Sequence, residues 1–250
     1  MIENHFVIIT PVYNAEAFIE KSIRSVLDQT YKNFSLVVVD DCSTDKTTEI
    51  ITEIQKQNTT LHHCRKEKRI GSPLHSFVMG IDFLKGKKED ILITVDGDDW
   101  FADNNVLEYM NGVYQDPDVW LTYGQFKSVS GKLNGYCRPV TNTRTYRKGQ
   151  WTTGHLRTLK RGLFDKIDRK DFLQKNGNFY NKYNDTAYMF PAIEMAGLKH
   201  IHFIDKILYV YNDQNPLCSI VDFDNAYLNA DWDMGADIKN KTPYKEIKEL

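Results

Sequence analysis

The sequence has few cysteines, almost no net charge and no long apolar run, and each absence narrows the class of protein. Four cysteines in 250 residues, none in a CxxC pair, predict reduced thiols in a cytoplasmic compartment. A net charge of -2 gives no basic surface for tight nucleic-acid binding. No run approaches the roughly 18–20 apolar residues of a membrane-spanning helix, which leaves only peripheral membrane contact open. The opening MIENHFVIIT lacks the basic segment of a signal peptide, so we expect none.

The apolar content is sufficient for one sizeable core. Hydrophobic residues make up 41% of the chain, and its length predicts a single domain. Over the first 100 residues, short apolar strands alternate with helical patterns of about 10–15 residues, which predicts a mostly parallel α/β sheet flanked by helices. The predicted strands cover 6–10 (ended by Pro11), 34–39, the region around 61, and 91–95; the predicted helices cover 15–30, the segment after Asp45, and 73–85.

The second half has a different pattern. We predict a strand over 119–129, a long polar loop over 130–150, a helix over 185–196 and one or two strands over 200–211. Pro191 would kink that helix or mark its first turn. Residues 216–250 form a weakly patterned tail, and we expect its charged end to be a solvated helix or a frayed end.

Polar residues follow three of the predicted strands at the point where each strand ends. They are Thr10–Asn14, Asp40-Asp41 and the DGDD stretch at 96–99. In an open α/β sheet such ends line one ligand cleft. Asp41 can accept the N3–H of uracil, and Tyr13 can stack on a base or ribose. The aspartates of DGDD repel one another unless they share a hard cation, Mn²⁺ or Mg²⁺. The alternative for DGDD is a plain acidic turn.

Two long segments resemble family 2 glycosyltransferases, which have the GT-A fold. They are ITPVYNAEAFIEKSIRSVLDQTYKNFSLVVVDDCSTDKT and ITVDGDDWFADNNVLEYM, within the first 115 residues. Further on, NDTAYMF through Gly197 resembles that family's acceptor-side helix, with Asn184 in place of the usual Glu. The resemblance implies a GT-A-like single domain over 1–215, with a donor half (1–115) and an acceptor half (116–215). It also implies inverting transfer of a sugar from a nucleoside-diphosphate donor, usually a UDP-sugar, to a glycan or other hydroxyl acceptor, with a divalent metal.

The resemblance also assigns roles to individual residues. Asp41 would hold the base and Asp185 would be the general base. Asp96 and Asp98 would contact the ribose, the sugar or the metal, and the direct metal ligand would be either Asp98 or Asp99. The nucleotide pocket would be lined by Pro11, Tyr13 and Asn14. A carboxylate base takes the acceptor proton from within about 2.6–3.2 Å. The alternative for Asp185 is a helix cap.

The sequence departs from the family pattern in two places. No arginine follows Gly71, which leaves Lys68 or Arg69 as substitutes or the contact absent; no histidine occurs over 211–216, where many members have a metal ligand. His155 and Arg157 could face the acceptor or diphosphate, or form a structural turn. Two rival functions stay open. One is a catalytically inactive sugar-nucleotide or glycan binder. The other is a nucleotidyltransferase, for which TPVYNAEAF lacks the phosphate-binding loop.

Overall fold

The computed structural model describes residues 2–133, 135–216 and 232–250, and its centre is one eight-stranded sheet. The strands are β1 (Phe6–Val12), β2 (Phe34–Asp40), β3 (Leu61–Arg65), β4 (Ile91–Thr94), β5 (Trp100–Phe101), β6 (Leu121–Ser128), β7 (Thr158–Lys160) and β8 (Ile201–Tyr211). The helices are α1 (Ile19–Leu27), α2 (Thr47–Lys56), α3 (Pro73–Leu84), α4 (Val106–Val113), α5 (Thr143–Tyr146), α6 (Arg161–Phe164), α7 (Asn184–Ala196) and α8 (Trp232–Asn240). Two 3₁₀ turns cover Arg169–Phe172 and Leu198–His200.

The sheet order is β3-β2-β1-β4-β7-β6-β8-β5. The pairs β3–β2, β2–β1, β1–β4 and β6–β8 are parallel, and β7 and β5 pair antiparallel with their neighbours. This confirms the predicted mostly parallel α/β sheet. Because β1, β2 and β4 run in the same direction, their carboxyl ends lie at one edge and present their polar residues together.

Alternation along the strands divides the core into two apolar layers. In β1, Phe6 and Ile8 point into one layer and Val7 and Ile9 into the other. The first layer contains apolar side chains of α1, α2 and α4, and the second contains those of α3 and α7. Both faces of these central strands are therefore buried, as their continuous apolar runs predict.

Strand β1 is longer than predicted because it passes through Pro11. The carbonyl of Pro11 accepts the Gly97 N–H at 3.0 Å, so the backbone of Pro11 faces the side of β4. The pairing of β4 with β1 ends at Thr94, opposite Ile9. Proline therefore removes no ladder hydrogen bond here, which is the condition under which a strand tolerates it.

Helix α7 is buried almost all round, and Pro191 lies inside it. A helix enclosed on every side needs no polar face, which explains the weak amphipathic pattern over NDTAYMFPAIEMA. The predicted loop over 130–150 contains the short helix α5.

The sequence predicts a solvated helix or a frayed end at the end of the chain. The structure instead holds residues 244–250 against the core. The N–H of Tyr244 donates to Glu194 Oε2 at 2.9 Å, and the N–H of Ile247 donates to the Met195 carbonyl at 2.9 Å. Tyr244, Ile247 and Leu250 pack against the core. In the part of the chain that the structure describes, no helix is both long and apolar enough to cross a membrane.

Candidate active site

The acidic turn Asp96–Asp99 follows β4 and lies against the end of β1. A Cβ at Gly97 would lie 2.6 Å from Val12 Cγ2 and 3.1 Å from the Pro11 carbonyl oxygen. Only glycine permits this approach, because real Cβ atoms do not occur at such distances. Gly97 thus places the carboxylates on both sides of it next to the end of β1.

Both carboxylate oxygens of the third aspartate of the turn accept protein donors. Asp99 is 1% exposed; its Oδ1 accepts the Asn212 N–H at 2.7 Å and its Oδ2 accepts the Tyr209 hydroxyl at 2.7 Å. Asp98 is half-buried, and its Oδ2 accepts one N–H of the Asn215 side chain at 2.7 Å. The segment after β8, where no metal-binding histidine occurs, therefore holds the acidic turn through amide donors.

Charge repulsion accumulates in this turn. Burial and the Asp98 carboxylate raise the pKa of Asp96 to about 7. Burial raises the pKa of Asp98, and burial followed by its two neighbours raises that of Asp99 well above the usual range. A shared divalent cation would relieve this repulsion, and oxygen-only donors suit a hard ion. The residues present thus fit the Mn²⁺ or Mg²⁺ that the resemblance implies.

Asp185 faces the same region from α7. Its Oδ2 lies 3.0 Å from Arg157 Nη1, and its side chain is 24% exposed. After burial and Asp98, the charges of Arg157 and Asp185 both act on Asp96, so these groups share one electrostatic environment. Asp185 Oδ1 also accepts the Thr186 N–H at 3.0 Å, but the N-cap position of α7 is Tyr183, so Asp185 lies in the first turn and is not the helix cap. The structure therefore brings the predicted base and the acidic turn together.

Of the residues predicted for the nucleotide pocket, Tyr13 and Asn14 lie just beyond the end of β1, whereas Pro11 is buried inside that strand. The Arg69 guanidinium carbon lies 3.8 Å from the centre of the Tyr13 ring. Asn14 has a φ of 47°, its N–H donates to Ser43 Oγ at 3.0 Å, and its Oδ1 accepts the Thr44 N–H at 2.8 Å. Of the two substitutes considered for the missing family arginine, Arg69 is the one stacked on this aromatic ring.

Asp41 anchors the loop between β3 and α3. Its two oxygens accept the Ile70 N–H at 2.9 Å and the Gly71 N–H at 2.6 Å, and Lys66 Nζ lies 2.9 Å from Oδ1. Gly71 has a φ of 70°, a conformation that favours glycine, and this turns its N–H toward the carboxylate. Asp41 is buried, with lone pairs beyond those used by the loop.

His155 lies beside the acidic turn, and its Nε2 is held by Arg157. Ligand atoms of His155, Asp96 and Asp99 all lie within 4.8 Å of one another. Arg157 Nη2 lies 3.0 Å from His155 Nε2, and since a guanidinium only donates, Nε2 must accept and Nδ1 must carry the hydrogen. Burial and Arg157 lower the pKa of His155 well below its usual value, so the ring is neutral. As held by Arg157, it has no lone pair left for a metal. The sequence analysis singles out His155 and Arg157, but no local pattern predicts that the arginine binds the histidine ring.

Solved structures share this architecture. The chain superposes on Staphylococcus aureus TarS (residues 1–349) in complex with UDP-GlcNAc with a TM-score of 0.61 at 20% identity, over 83% of this chain and 58% of that one. It superposes on the mannosyltransferase PcManGT of Pyrobaculum calidifontis, in complex with GDP-Man and Mn²⁺, with a TM-score of 0.59 at 18% identity, over 86% and 59% of the two chains. The fold is thus that of the GT-A glycosyltransferases.

Sequence comparison identifies the family. The profile described as "Glycosyl transferase family 2" matches residues 7–175, and this chain belongs to that family. Glycosyltransferase GlyG of Streptococcus pneumoniae serotype 4 is 28% identical over 239 residues, which cover 88% of this chain and 74% of GlyG. An uncharacterized glycosyltransferase of Haemophilus influenzae is 33% identical over 119 residues, 48% of this chain and 46% of that protein. The chain spans less than half the length of several curated relatives that it matches.

Proposed function

We propose that this protein is a metal-dependent, inverting glycosyltransferase that moves a sugar from a nucleoside diphosphate, UDP in the first instance, to a hydroxyl of a glycan or other acceptor. The observation that carries the proposal is the meeting of Asp185 with the acidic turn. The two come from α7 and from the end of β4; Arg157 contacts Asp185 and His155, and ligand atoms of His155, Asp96 and Asp99 lie within 4.8 Å of one another. The relatives and solved neighbours named as glycosyltransferases support it.

The donor's nucleotide would lie over the ends of β1 and β2. Asp41 would accept an N–H of the base through a lone pair that the loop does not use, and Tyr13, stacked by Arg69, would form one wall. Pro11 and Asn14 would complete the pocket. Uracil and guanine both present such an N–H, whereas the N3 of cytosine only accepts. TarS bound to UDP-GlcNAc and PcManGT bound to GDP-Man fit this preference.

Asp98 would be the direct protein ligand of the divalent cation, with Asp96 toward the sugar or ribose. Asp99 would support the turn, because it is 1% exposed and each of its oxygens is held by a protein donor, whereas Asp98 is half-buried. Bound there, Mn²⁺ or Mg²⁺ would supply a Lewis acid beside the diphosphate leaving group. The Mn²⁺ in the PcManGT complex supports a divalent ion.

Asp185 would act as the general base. Inversion by a single displacement requires the acceptor hydroxyl to approach opposite the leaving group, with a carboxylate close enough to remove its proton. Asp185 is anchored by Arg157 yet 24% exposed, so part of its carboxylate stays accessible to a hydroxyl. The sugar would pass through an oxocarbenium-like state, as in glycoside hydrolysis.

The division into a donor half (1–115), an acceptor half (116–215) and a tail (216–250) belongs to this proposal, as does a cytoplasmic location. The thiols of Cys42, Cys64 and Cys137 are free, which suits a reducing compartment. Cys218 lies outside the described residues.

A panel of nucleotide sugars tests the proposal. Each is added with Mn²⁺ or with EDTA, and the melting temperature is measured, because a ligand that binds only the native state raises it. The stabilising donors are then assayed for hydrolysis and for transfer to a set of sugar acceptors. We expect a UDP-sugar to stabilise the protein with Mn²⁺ and to be turned over. Stabilisation without any turnover would favour the inactive binder, and formation of a nucleotide sugar from a nucleoside triphosphate and a sugar phosphate would favour the nucleotidyltransferase.

A further inference from the structure

We infer that Arg157 is a positioning residue of this site, because its buried guanidinium holds Asp185 with one nitrogen and His155 with another. This role rests on the proposed function. Arg157 would fix the position of the general base Asp185 relative to the acidic turn, so that the acceptor hydroxyl and the donor meet in one geometry. Arg157 would act through these partners and would not touch the substrate itself.

The first contact joins Arg157 to the base. Arg157 Nη1 lies 3.0 Å from Asp185 Oδ2 and 3.4 Å from the Thr153 carbonyl oxygen. Arg157 is 6% exposed, and within the described residues its buried Nε has no hydrogen-bond partner. An enclosed guanidinium of this kind cannot reach a ligand in the cleft without moving. It can, however, hold the orientation of a carboxylate, because its donors form a rigid planar fork.

The second contact leads to the acidic turn. Arg157 Nη2 donates to His155 Nε2 at 3.0 Å, and the His155 ring stacks on Tyr209 with centroids 4.4 Å apart and an angle of 12°. The Tyr209 hydroxyl donates to Asp99 Oδ2 at 2.7 Å and accepts the Asp96 N–H at 3.2 Å. A continuous series of contacts thus runs from the base on α7 to the turn after β4.

The charges that surround Arg157 also favour a guanidinium at this position. Burial disfavours the guanidinium charge, but the surrounding groups, first Asp185 and then Tyr188 and Asp96, outweigh burial and raise the pKa of Arg157 above its usual value. The cation is therefore permanent and faces the acceptor-side and donor-side carboxylates together. A neutral residue here would leave Asp185 without its charged partner.

The expected effect follows from the geometry of the fork. A lysine keeps the charge but replaces two directed donors by one ammonium on a flexible chain, so it cannot hold Asp185 and His155 in the same way. A displacement of about 1 Å in a reacting group costs on the order of 10²-fold in rate. We expect Arg157→Lys to lower kcat about 100-fold while KM for the donor changes less than about threefold.

The matched control is Arg147, an equally enclosed arginine whose contacts in the described part of the chain are with Glu194, Ile238 and Phe190. Its Nε and Nη2 donate to Glu194 at 2.8 and 2.7 Å, and both side chains are 3% exposed. Arg147→Lys therefore removes the same kind of buried fork. We expect it to lower the melting temperature and to leave kcat within about threefold of wild type when each protein is assayed well below its own melting temperature.

The experiment measures kcat, KM and the Kd for UDP with Mn²⁺ in wild type, Arg157→Lys, Arg147→Lys and His155→Phe. In His155→Phe the phenyl ring keeps the stacking on Tyr209 but cannot accept a hydrogen bond from Arg157. We therefore expect the kcat of this variant to lie roughly three- to tenfold below wild type and its Kd for UDP to be unchanged. A wild type that turns over no nucleotide sugar would contradict the proposed function itself. An active wild type with kcat preserved in Arg157→Lys would overturn the positioning role. If Arg157→Lys does not fold, His155→Phe decides, and an unchanged kcat in that variant overturns the role as well.

Discussion

Replacing Asp185 by asparagine tests the chemistry with little change in shape. The amide keeps the volume of the carboxylate and one acceptor oxygen, but it cannot take a proton from an acceptor hydroxyl. Loss of a general base typically costs about 10²–10⁴-fold in rate. At about 1.36 kcal/mol per tenfold change, this raises the barrier by roughly 2.7–5.4 kcal/mol.

The same substitution weakens an ion pair, and the structure bounds that cost. Arg157 Nη1 and Asp185 Oδ2 are 3.0 Å apart, with side-chain exposures of 6% and 24%. Breaking a fully buried pair costs about 3–5 kcal/mol, and breaking an exposed pair costs about 0–1 kcal/mol. Because the carboxylate is partly solvated, we expect a loss of roughly 1–3 kcal/mol in the free energy of unfolding. A typical domain survives such a loss, so the variant should fold.

The assay compares kcat for hydrolysis of the best donor and the Kd for UDP with Mn²⁺. We expect Asp185→Asn to lose kcat and keep UDP affinity. Asp82→Asn is the control, because Asp82 also pairs with an arginine, Arg169, at 3.0 Å, but on an exposed surface. The reasoning is refuted if Asp185→Asn retains kcat within about threefold, or if UDP affinity falls in step with kcat.

Three further predictions follow from other contacts. Asp98→Asn should abolish the effect of EDTA on UDP affinity, which calorimetry detects in wild type; persistent sensitivity to EDTA would argue against Asp98 as the ligand. Burial, followed by the charge of Lys66, lowers the pKa of His75 in the folded protein. Below about pH 6.5 the unfolded chain therefore binds more protons than the folded chain. We expect wild type to lose free energy of unfolding relative to His75→Gln in this range, by at most about 1.4 kcal/mol per pH unit. Urea unfolding at pH 7.5 and 5.5 measures this, and a constant difference contradicts it. Glu194→Gln leaves Arg147 buried without its charged partner. We expect the free energy of unfolding, measured by thermal denaturation, to fall by about 3–5 kcal/mol, and a loss below about 1 kcal/mol would count against the ion pair.

Much of the first half of the fold could be predicted because its determinants are local. The apolar runs over β1, β2 and β4 are continuous and end in polar residues, and parallel strands place such ends together. By contrast, β5 and β7 have two and three residues, too few for any period to show. The packing of the chain end against the core could not be predicted, because this segment is mostly charged and only a few of its residues are apolar.

The amino-acid sequence by itself determined the mostly parallel α/β sheet, the family and the residues proposed for the site, because strand period and motif spacing depend on neighbours in the chain. Only the tertiary structure decided which of these residues are free to act. Asp99 is occupied by Asn212, which lies 113 residues away in sequence, and Asp185 is held by Arg157 on a different segment. Such contacts depend on how distant segments are brought together, and no local pattern encodes which donor will reach which carboxylate.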